Sequence, residues 1–381
     1  MATIKKRGDS YYVVYWFEGK HHWKVAGSRE IDAKRLKSTI EKAIYGGTHR
    51  EVENITFQEL ADKWLEVKQA ELRPRTYASY LPCVNRLTSH FGKTKVKKIG
   101  TEQVERFAAD LLKAEIKTVT KKGTEKVRKI SPATASRVLT ILKGILAKGV
   151  QWGYISRNPA EYVRKPRIEK PEVEFLEPGE IKRLIESTDE RHKALIMFAC
   201  LTGARQSEIL GLRWSDLDLE EGKANIRQVL QGGRFLSPKS QASRRTIDLP
   251  PVLMRELKTH QLRQAVKLEE NPHDLVFTSN KGTPLDSHNV THRILEPALR
   301  IAGIRKVGFH ALRHSYVSML ISQGENVKTI QALVGHASAR MTWDVYGHLF
   351  EGAGKEAANR LQKTLYGDLE KFDANQFANE S

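Results

Sequence analysis

Cysteine is nearly absent: only Cys83 and Cys200 occur in 381 residues, far apart and in no pattern. That excludes a disulfide framework and a cysteine-based zinc site. Long apolar runs are missing too. No stretch approaches the roughly 18 consecutive apolar residues of a membrane span, and no apolar signal region follows Met1-Ala-Thr-Ile-Lys-Lys-Arg7. These absences read as a soluble, cytoplasmic protein with no membrane partner. No internal repeat is visible, and no acidic pair or metal-ligand spacing stands out, so neither a cofactor nor a metal is expected.

What is present is positive charge, and it is uneven. The net charge is +19. Residues 1–50 hold 11 Lys and Arg against 5 Asp and Glu, residues 51–170 hold 25 against 13, and residues 171–381 hold 28 against 27. An excess confined to the first 170 residues suits a chain whose N-terminal parts grip a polyanion while the neutral C-terminal part works on it. With 40% hydrophobic residues the chain can bury real cores, and its length implies two or three domains.

The pattern along the chain predicts a multi-domain protein. Tyr11 to Phe17 is β-branched and aromatic, Glu18-Gly19-Lys20 marks a turn, and a helical pattern from Glu30 to Tyr45 ends at Gly46-Gly47. Residues 1–50 are thus read as a small β-sheet with one helix. Four helix starts follow: the capping box Thr56-Phe-Gln-Glu59, Arg73-Pro74, Thr101-Glu102, and Ser131-Pro132. Residues 55–160 therefore read as an all-α four-helix domain, with the basic stretch Lys117–Lys129 as a loop. Two prolines and five charges between Arg164 and Pro171 mark residues 161–172 as a linker. Residues 173–381 read as mainly helical, with short antiparallel strands (Ala224–Val229, Phe235-Leu236, Arg245–Leu249) turning at Gly232-Gly233. Beyond Gly352-Ala-Gly354, a last amphipathic helix is expected over residues 355–366.

The residues that could carry chemistry are Arg205, Lys239, His310, Arg313, His336 and Tyr346. Singly they say little, since a lone arginine or loop lysine is most often solvated and a tyrosine at helical spacing is most often core. As a set they suit a phosphodiester. Two arginines match the non-bridging oxygens bidentately, and a phenol with an ordinary pKa of about 10 must lose its proton on attack. The departing sugar oxygen must gain one from Lys or His. Glu208, three residues beyond Arg205, suggests a buried carboxylate that holds that arginine. His310 and His314 at i, i+4 lack the glutamate or cysteine that would favour a metal.

In order, these residues sit in Thr202-Gly-Ala-Arg205-Gln-Ser-Glu208-Ile-Leu-Gly-Leu-Arg-Trp-Ser-Asp216, in Pro238-Lys239 with Ser243-Arg-Arg-Thr-Ile-Asp-Leu249, in His310-Ala-Leu-Arg313-His-Ser315, in Leu333-Val-Gly-His336-Ala-Ser338, and in Thr342-Trp-Asp-Val-Tyr346-Gly-His348. The set resembles the tyrosine recombinase, or phage integrase, family. The resemblance implies a site-specific recombinase of a mobile element that needs no ATP or metal and works through a 3′-phosphotyrosyl bond. It makes Tyr346 the nucleophile, Arg205 and Arg313 the phosphate clamp, Lys239 the acid for the leaving oxygen, and His310 a proton acceptor or donor. His336 becomes a further phosphate donor and Glu208 a brace.

It also implies an arm-type DNA-binding module in residues 1–50, a core-binding domain in 55–160 and a catalytic domain in 173–381 whose last helix packs in trans. Its partners would be double-stranded DNA, three further copies of the chain and host DNA-bending or excision proteins. Charge and position alone nominate Lys20, Lys24, Arg29, Arg75, Arg137 and Lys143 as DNA contacts. The rival readings are relaxation of supercoils in the manner of a type IB topoisomerase, and a non-catalytic DNA-binding regulator.

Overall fold

The computed structural model describes residues 2–46, 54–119, 125–168, 173–238, 241–347 and 353–366. The chain divides into two compact units, Met1–Glu169 and Lys170–Ser381. Both mix helices with small antiparallel sheets.

In the first unit, Thr3–Arg7 (β1), Ser10–Phe17 (β2) and Lys20–Gly27 (β3) form one antiparallel sheet in that order. The β2–β3 turn is Glu18-Gly19, both at positive φ (48° and 78°), the sign that matches strand twist in a two-residue hairpin. Strand alternation turns Val13 and Tyr15 onto helix Glu30–Tyr45 (α1), where Ala33 and Ile40 join them in a small core. The opposite face is aromatic and cationic. Lys5 and Arg7 lie over the Trp23 ring at 5.2 and 4.7 Å, and Trp23 meets Tyr12 edge-on.

Four helices follow: Phe57–Glu71 (α2), Pro74–Phe91 (α3), Thr101–Lys113 (α4) and Pro132–Gln151 (α5). Their starts are set locally. Thr56 and Glu59 close a reciprocal capping box, the Ser131 hydroxyl accepts from the Thr134 amide at 3.2 Å, and Pro74 and Pro132 occupy first turns where no amide is needed. Phe57, Leu60, Trp64, Leu87, Leu139 and Leu142 centre the shared core.

One expectation fails here. Within the stretch read as a basic loop, Glu115–Val119 (β4) and Glu125–Lys129 (β5) pair as an antiparallel hairpin, so this part is not all-α. Ile116, Thr118, Val119 and Val127 supply the β-branched residues between the lysines. The hairpin is tied to the helices at its base, where Ile130 is buried and its amide donates to the Ala114 carbonyl at 3.1 Å.

The second unit is built on helix Pro178–Glu186 (α6), the almost fully buried Lys193–Thr202 (α7) and the short Gln206–Ile209 (α8). Leu217–Asp218 (β6) and Lys223–Asn225 (β7) begin a three-stranded sheet. Val229–Gln231 (β8) and Arg234–Leu236 (β9) form a separate hairpin turning at Gly232-Gly233, and Thr246–Asp248 (β10) completes the sheet in the order β10-β7-β6. The expected single strand Ala224–Val229 is therefore two strands in two sheets, and β6 was not foreseen. The chain leaves the sheet after Asn225, with the Ile226 amide still donating to the Arg245 carbonyl at 2.9 Å.

Pro251–Lys267 (α9) covers α7. Ser287–Asn289 (α10) runs through a π-helical stretch, Val290–Leu295, into Glu296–Ile301 (α11). His310–Ser322 (α12), Val327–Val334 (α13) and Ala339–Tyr346 (α14) pack around Val317, Ile321, Ile330, Val334 and Tyr346. The last described helix is Ala353–Tyr366 (α15), which takes in Gly354 rather than starting after it.

Candidate active site

Two arginines from different segments, Arg205 and Arg245, converge on one buried carboxylate. Glu208 on α8 is 1% exposed. Its Oε1 accepts from Arg205 Nη1 at 2.7 Å, and its Oε2 accepts from the Arg205 amide at 2.9 Å and from Arg245 Nη2 at 3.1 Å. Arg205 Nη2 donates to the Gly335 carbonyl at 2.9 Å, and Arg245 Nε donates to the Leu333 carbonyl at 2.8 Å. Arg313 on α12 donates from Nη1 to the Gly203 carbonyl at 2.7 Å. Each arginine is thus aimed by a backbone carbonyl far away in sequence.

Two glycines make this assembly fit. Gly203 ends α7 with φ 59°, and a Cβ there would lie 2.4 Å from Tyr316 Cδ1. Gly335 ends α13 with φ 66°, and a Cβ would lie 2.8 Å from Arg245 Nη1. A side chain at either position meets both left-handed strain and a collision.

The electrostatics favour an incoming anion. Arg205, Arg245 and Arg313 face the single carboxylate of Glu208. Arg313 is 3% exposed, and its Nη2 is buried without a hydrogen-bond partner among the described residues. Burial, with the Arg205 charge added, pushes the Arg313 guanidinium down to about 9, so it stays charged at neutral pH. Burial with the neighbouring His314, Arg313 and Arg205 pushes His310 down to about 4. Burial with Arg313 and Arg205 pushes His336 down to about 3. Both imidazoles are therefore neutral at working pH, and His336 Nδ1 is held by the buried Thr342 hydroxyl at 2.8 Å. Burial raises Glu208 while Arg245, Arg205 and the Arg205 amide lower it, leaving it below its ordinary value.

Replacing Glu208 with Gln should cost about 3 kcal/mol of stability, because an amide turned toward two guanidinium groups leaves buried cations unpaired. Since the folded carboxyl titrates below 4.5, the wild-type advantage should be complete above that pH and vanish as pH falls through the lowered value. Thermal unfolding of both proteins from neutral to acid pH checks this.

Tyr346 closes α14 and is 2% exposed. Burial raises its pKa above the ordinary value, and the Arg313 charge pulls it partly back. Its hydroxyl is hydrogen-bonded to His314 Nδ1. His314 meets His310 edge-to-face at 4.8 Å, and among the described residues no group of three or more His, Cys, Asp or Glu side chains is placed to hold a metal ion. The site thus brings Arg205, Glu208, His310, Arg313, His336 and Tyr346 together. Lys239 lies outside the described residues, on the connection between β9 and β10. Two polar members escaped the sequence reading. Arg245 stood in a quoted motif with nothing to show that it turns inward, and His314 was weighed only as half of a metal pair.

The residues expected to touch DNA fare differently. Lys20 and Lys24 are exposed but pair with Phe17 and Val13, on the sheet parity that faces α1. Arg29 is ion-paired to Asp32 at 2.9 Å, and Arg75 is exposed in the first turn of α3. Arg137 donates to the Ser79 hydroxyl and lies over the Tyr80 ring. Lys143 is only partly exposed and has partners within its own unit. Its ammonium donates to the Glu161 and Val163 carbonyls at 3.0 and 2.8 Å, fastening residues 161–163 to α5.

Sequence comparison gives this arrangement its class. Residues 174–352 match the phage integrase family, and residues 56–112 match the phage integrase N-terminal SAM-like domain. The chain belongs to the phage integrase family: it is a tyrosine recombinase, a site-specific DNA recombinase, and the comparisons do not favour the topoisomerase or regulator readings. It is 30% identical over 226 residues to tyrosine recombinase XerC of Thermodesulfovibrio yellowstonii, covering 58% of this chain and 72% of that protein. It is 25% identical to the ICEBs1 integrase of Bacillus subtilis, covering 90% of this chain and 92% of the relative. Its fold is similar to that of the Tn1549 transposon integrase in complex with a circular intermediate DNA (TM-score 0.66, 19% identity, 81% of this chain and 99% of that one).

Proposed function

We propose that this recombinase integrates and excises a mobile element, with Tyr346 attacking the scissile phosphate to form a 3′-phosphotyrosyl bond and free a 5′-hydroxyl. The observation that carries the reading is the buried Arg313 Nη2, unpartnered among the described residues, whose guanidinium is in electrostatic reach of both Arg205 and the Tyr346 phenol. A phosphate seated there would satisfy that donor. The pentavalent transition state, which holds more charge than the ground state, would gain most from donors already fixed in place. Arg205 and Arg313 clamp the non-bridging oxygens, His336 adds a donor, and Glu208 braces Arg205. Lys239 protonates the leaving 5′-oxygen. The likeness to an integrase over nine-tenths of the chain supports the mobile-element role.

In the same reading, residues 1–50 bind arm-type DNA, 55–160 bind core-type DNA, 161–172 link them to the rest and 173–381 catalyse. The cationic and aromatic sheet face bearing Lys5, Arg7, Tyr12 and Trp23 supports the first assignment better than Lys20, Lys24 or Arg29 do. Four copies act on two sites, and α15 packs on a neighbouring copy. Its exposed Leu361 and Leu365, four residues apart on one face, support that contact.

The test uses DNA from the flank of the encoding element, nicked near the crossover so that cleavage is trapped. An SDS-resistant adduct should map to the Tyr346 peptide and carry the 3′-phosphate, with a free 5′-hydroxyl on the other fragment. An adduct on another residue, or through a 5′-phosphate, would reject the assignment.

A further inference from the structure

His314 is the side chain that touches the reacting oxygen. The Tyr346 hydroxyl meets His314 Nδ1, and the two rings lie 5.6 Å apart. His310, the histidine expected to handle this proton, instead packs its ring on His314. A neutral imidazole that accepts at Nδ1 carries its hydrogen on Nε2, which is the form required to take a second proton.

We infer that His314 is the general base of strand cleavage, receiving the Tyr346 phenol proton as the phenol attacks phosphorus. The step rests on the assignment of Tyr346 as nucleophile. As the Tyr346 Oη–P bond forms, the phenol proton moves to His314 Nδ1. The P–O5′ bond then breaks, and its oxygen takes a proton from the acid assigned to Lys239. Rejoining runs the same transfers backwards. The attacking 5′-hydroxyl gives up its proton, the P–Oη bond breaks, and His314 returns its proton to the phenolate.

The surroundings favour this role. Burial and the adjacent Arg313 hold His314 below its ordinary 6.5, so it is unprotonated and able to accept at neutral pH. The other groups that meet its ring are His310 on its own helix and Tyr346 on α14. Helices α7 and α13, which also pack on α12, carry Lys193 and Lys328 as their charged residues. An imidazolium beside Arg313 is costly by itself, but it forms only as negative charge builds on the phosphate between them and the clamp. The transfer is therefore coupled to attack and does not precede it.

The experiment is single-turnover cleavage by the full chain on two trapped substrates, one ordinary and one with sulfur as the bridging 5′ atom, which departs without a proton. Wild type, His314→Ala, His314→Asn, Lys239→Ala and Tyr346→Phe are compared from roughly pH 5 to 9, with DNA binding as the control for folding. Loss of one general base is expected to slow cleavage by about 10²- to 10³-fold. His314→Ala should show that loss on both substrates. Its rate should rise steadily with pH instead of levelling above the wild-type acid limb, and added imidazole should restore part of it. His314→Asn, which can hold the phenol but cannot take its proton, should be equally slow. Lys239→Ala alone should recover on the sulfur substrate.

Wild-type or faster cleavage by either His314 variant overturns the proposal. So does slowing with an unchanged pH profile and no imidazole response, or recovery on the sulfur substrate. An adduct formed by Tyr346→Phe would overturn the nucleophile and this proposal together. Silence in Tyr346→Phe beside full activity in His314→Ala overturns only the base.

Discussion

Tyr346→Phe abolishes covalent attachment to DNA and leaves binding intact: that is the result expected from removing a single oxygen. The phenylalanine ring keeps its place against Val317, Ile330 and Val334, so the core loses no volume. One hydrogen bond to a partly exposed histidine disappears, at a cost of about 1 kcal/mol. The unfolding temperature should barely move while cleavage falls by on the order of 10⁴-fold or more, the scale seen when a nucleophile is deleted from a cooperative site. An SDS-resistant adduct in the variant would show that another residue attacks. A collapse of stability would mean that the hydroxyl holds the fold as well.

Arg313→Met should separate stability from activity in the opposite way. In the protein without DNA, this guanidinium is buried near Arg205 with its Nη2 unmatched among the described residues, an arrangement that folding tolerates at a cost. Methionine keeps most of the volume and removes the desolvated charge, so the unfolding temperature should hold or rise. Cleavage should fall about 10³-fold, since removing a fixed donor to the transition state costs roughly 4 kcal/mol. Inorganic phosphate or sulfate should stabilise the wild type and have less effect on the variant. A destabilised variant, or one that cleaves normally, would contradict the view of Arg313 as a charge held ready for DNA.

The parts of this protein that were legible in its sequence are those determined within a few residues. Thr56 with Glu59, Ser131 before Pro132, and Gly46 after Tyr45 announce helix ends because capping is local chemistry. The paired strands Glu115–Val119 and Glu125–Lys129 were hidden by the lysines of this stretch, which weigh toward a loop more visibly than Ile116 or Val127 weigh toward a strand. The break between β7 and β8 depends on pairing with β10, a strand some twenty residues on, which no local window sees.

The site divides the same way. Ordered motifs brought out Arg205, Arg313, His336 and Tyr346. The inward turn of Arg245 toward Glu208, 37 residues away, and the meeting of His314 with Tyr346, 32 residues away, depend on side-chain direction in the folded unit. His314 carried a faint signal in its place one residue after Arg313.

The carbonyls that aim the arginines have a consequence during synthesis. Arg205 takes its bearing from Gly335, 130 residues downstream, and Arg313 from Gly203, 110 residues upstream. While the chain is leaving the ribosome, its basic N-terminal half is already complete, yet Arg205 has no aim until Gly335 has emerged and folded back. The phenol follows last, eleven residues later. On the proposed assignments, a stalled or prematurely ended chain would bind DNA but would have no means of cutting it.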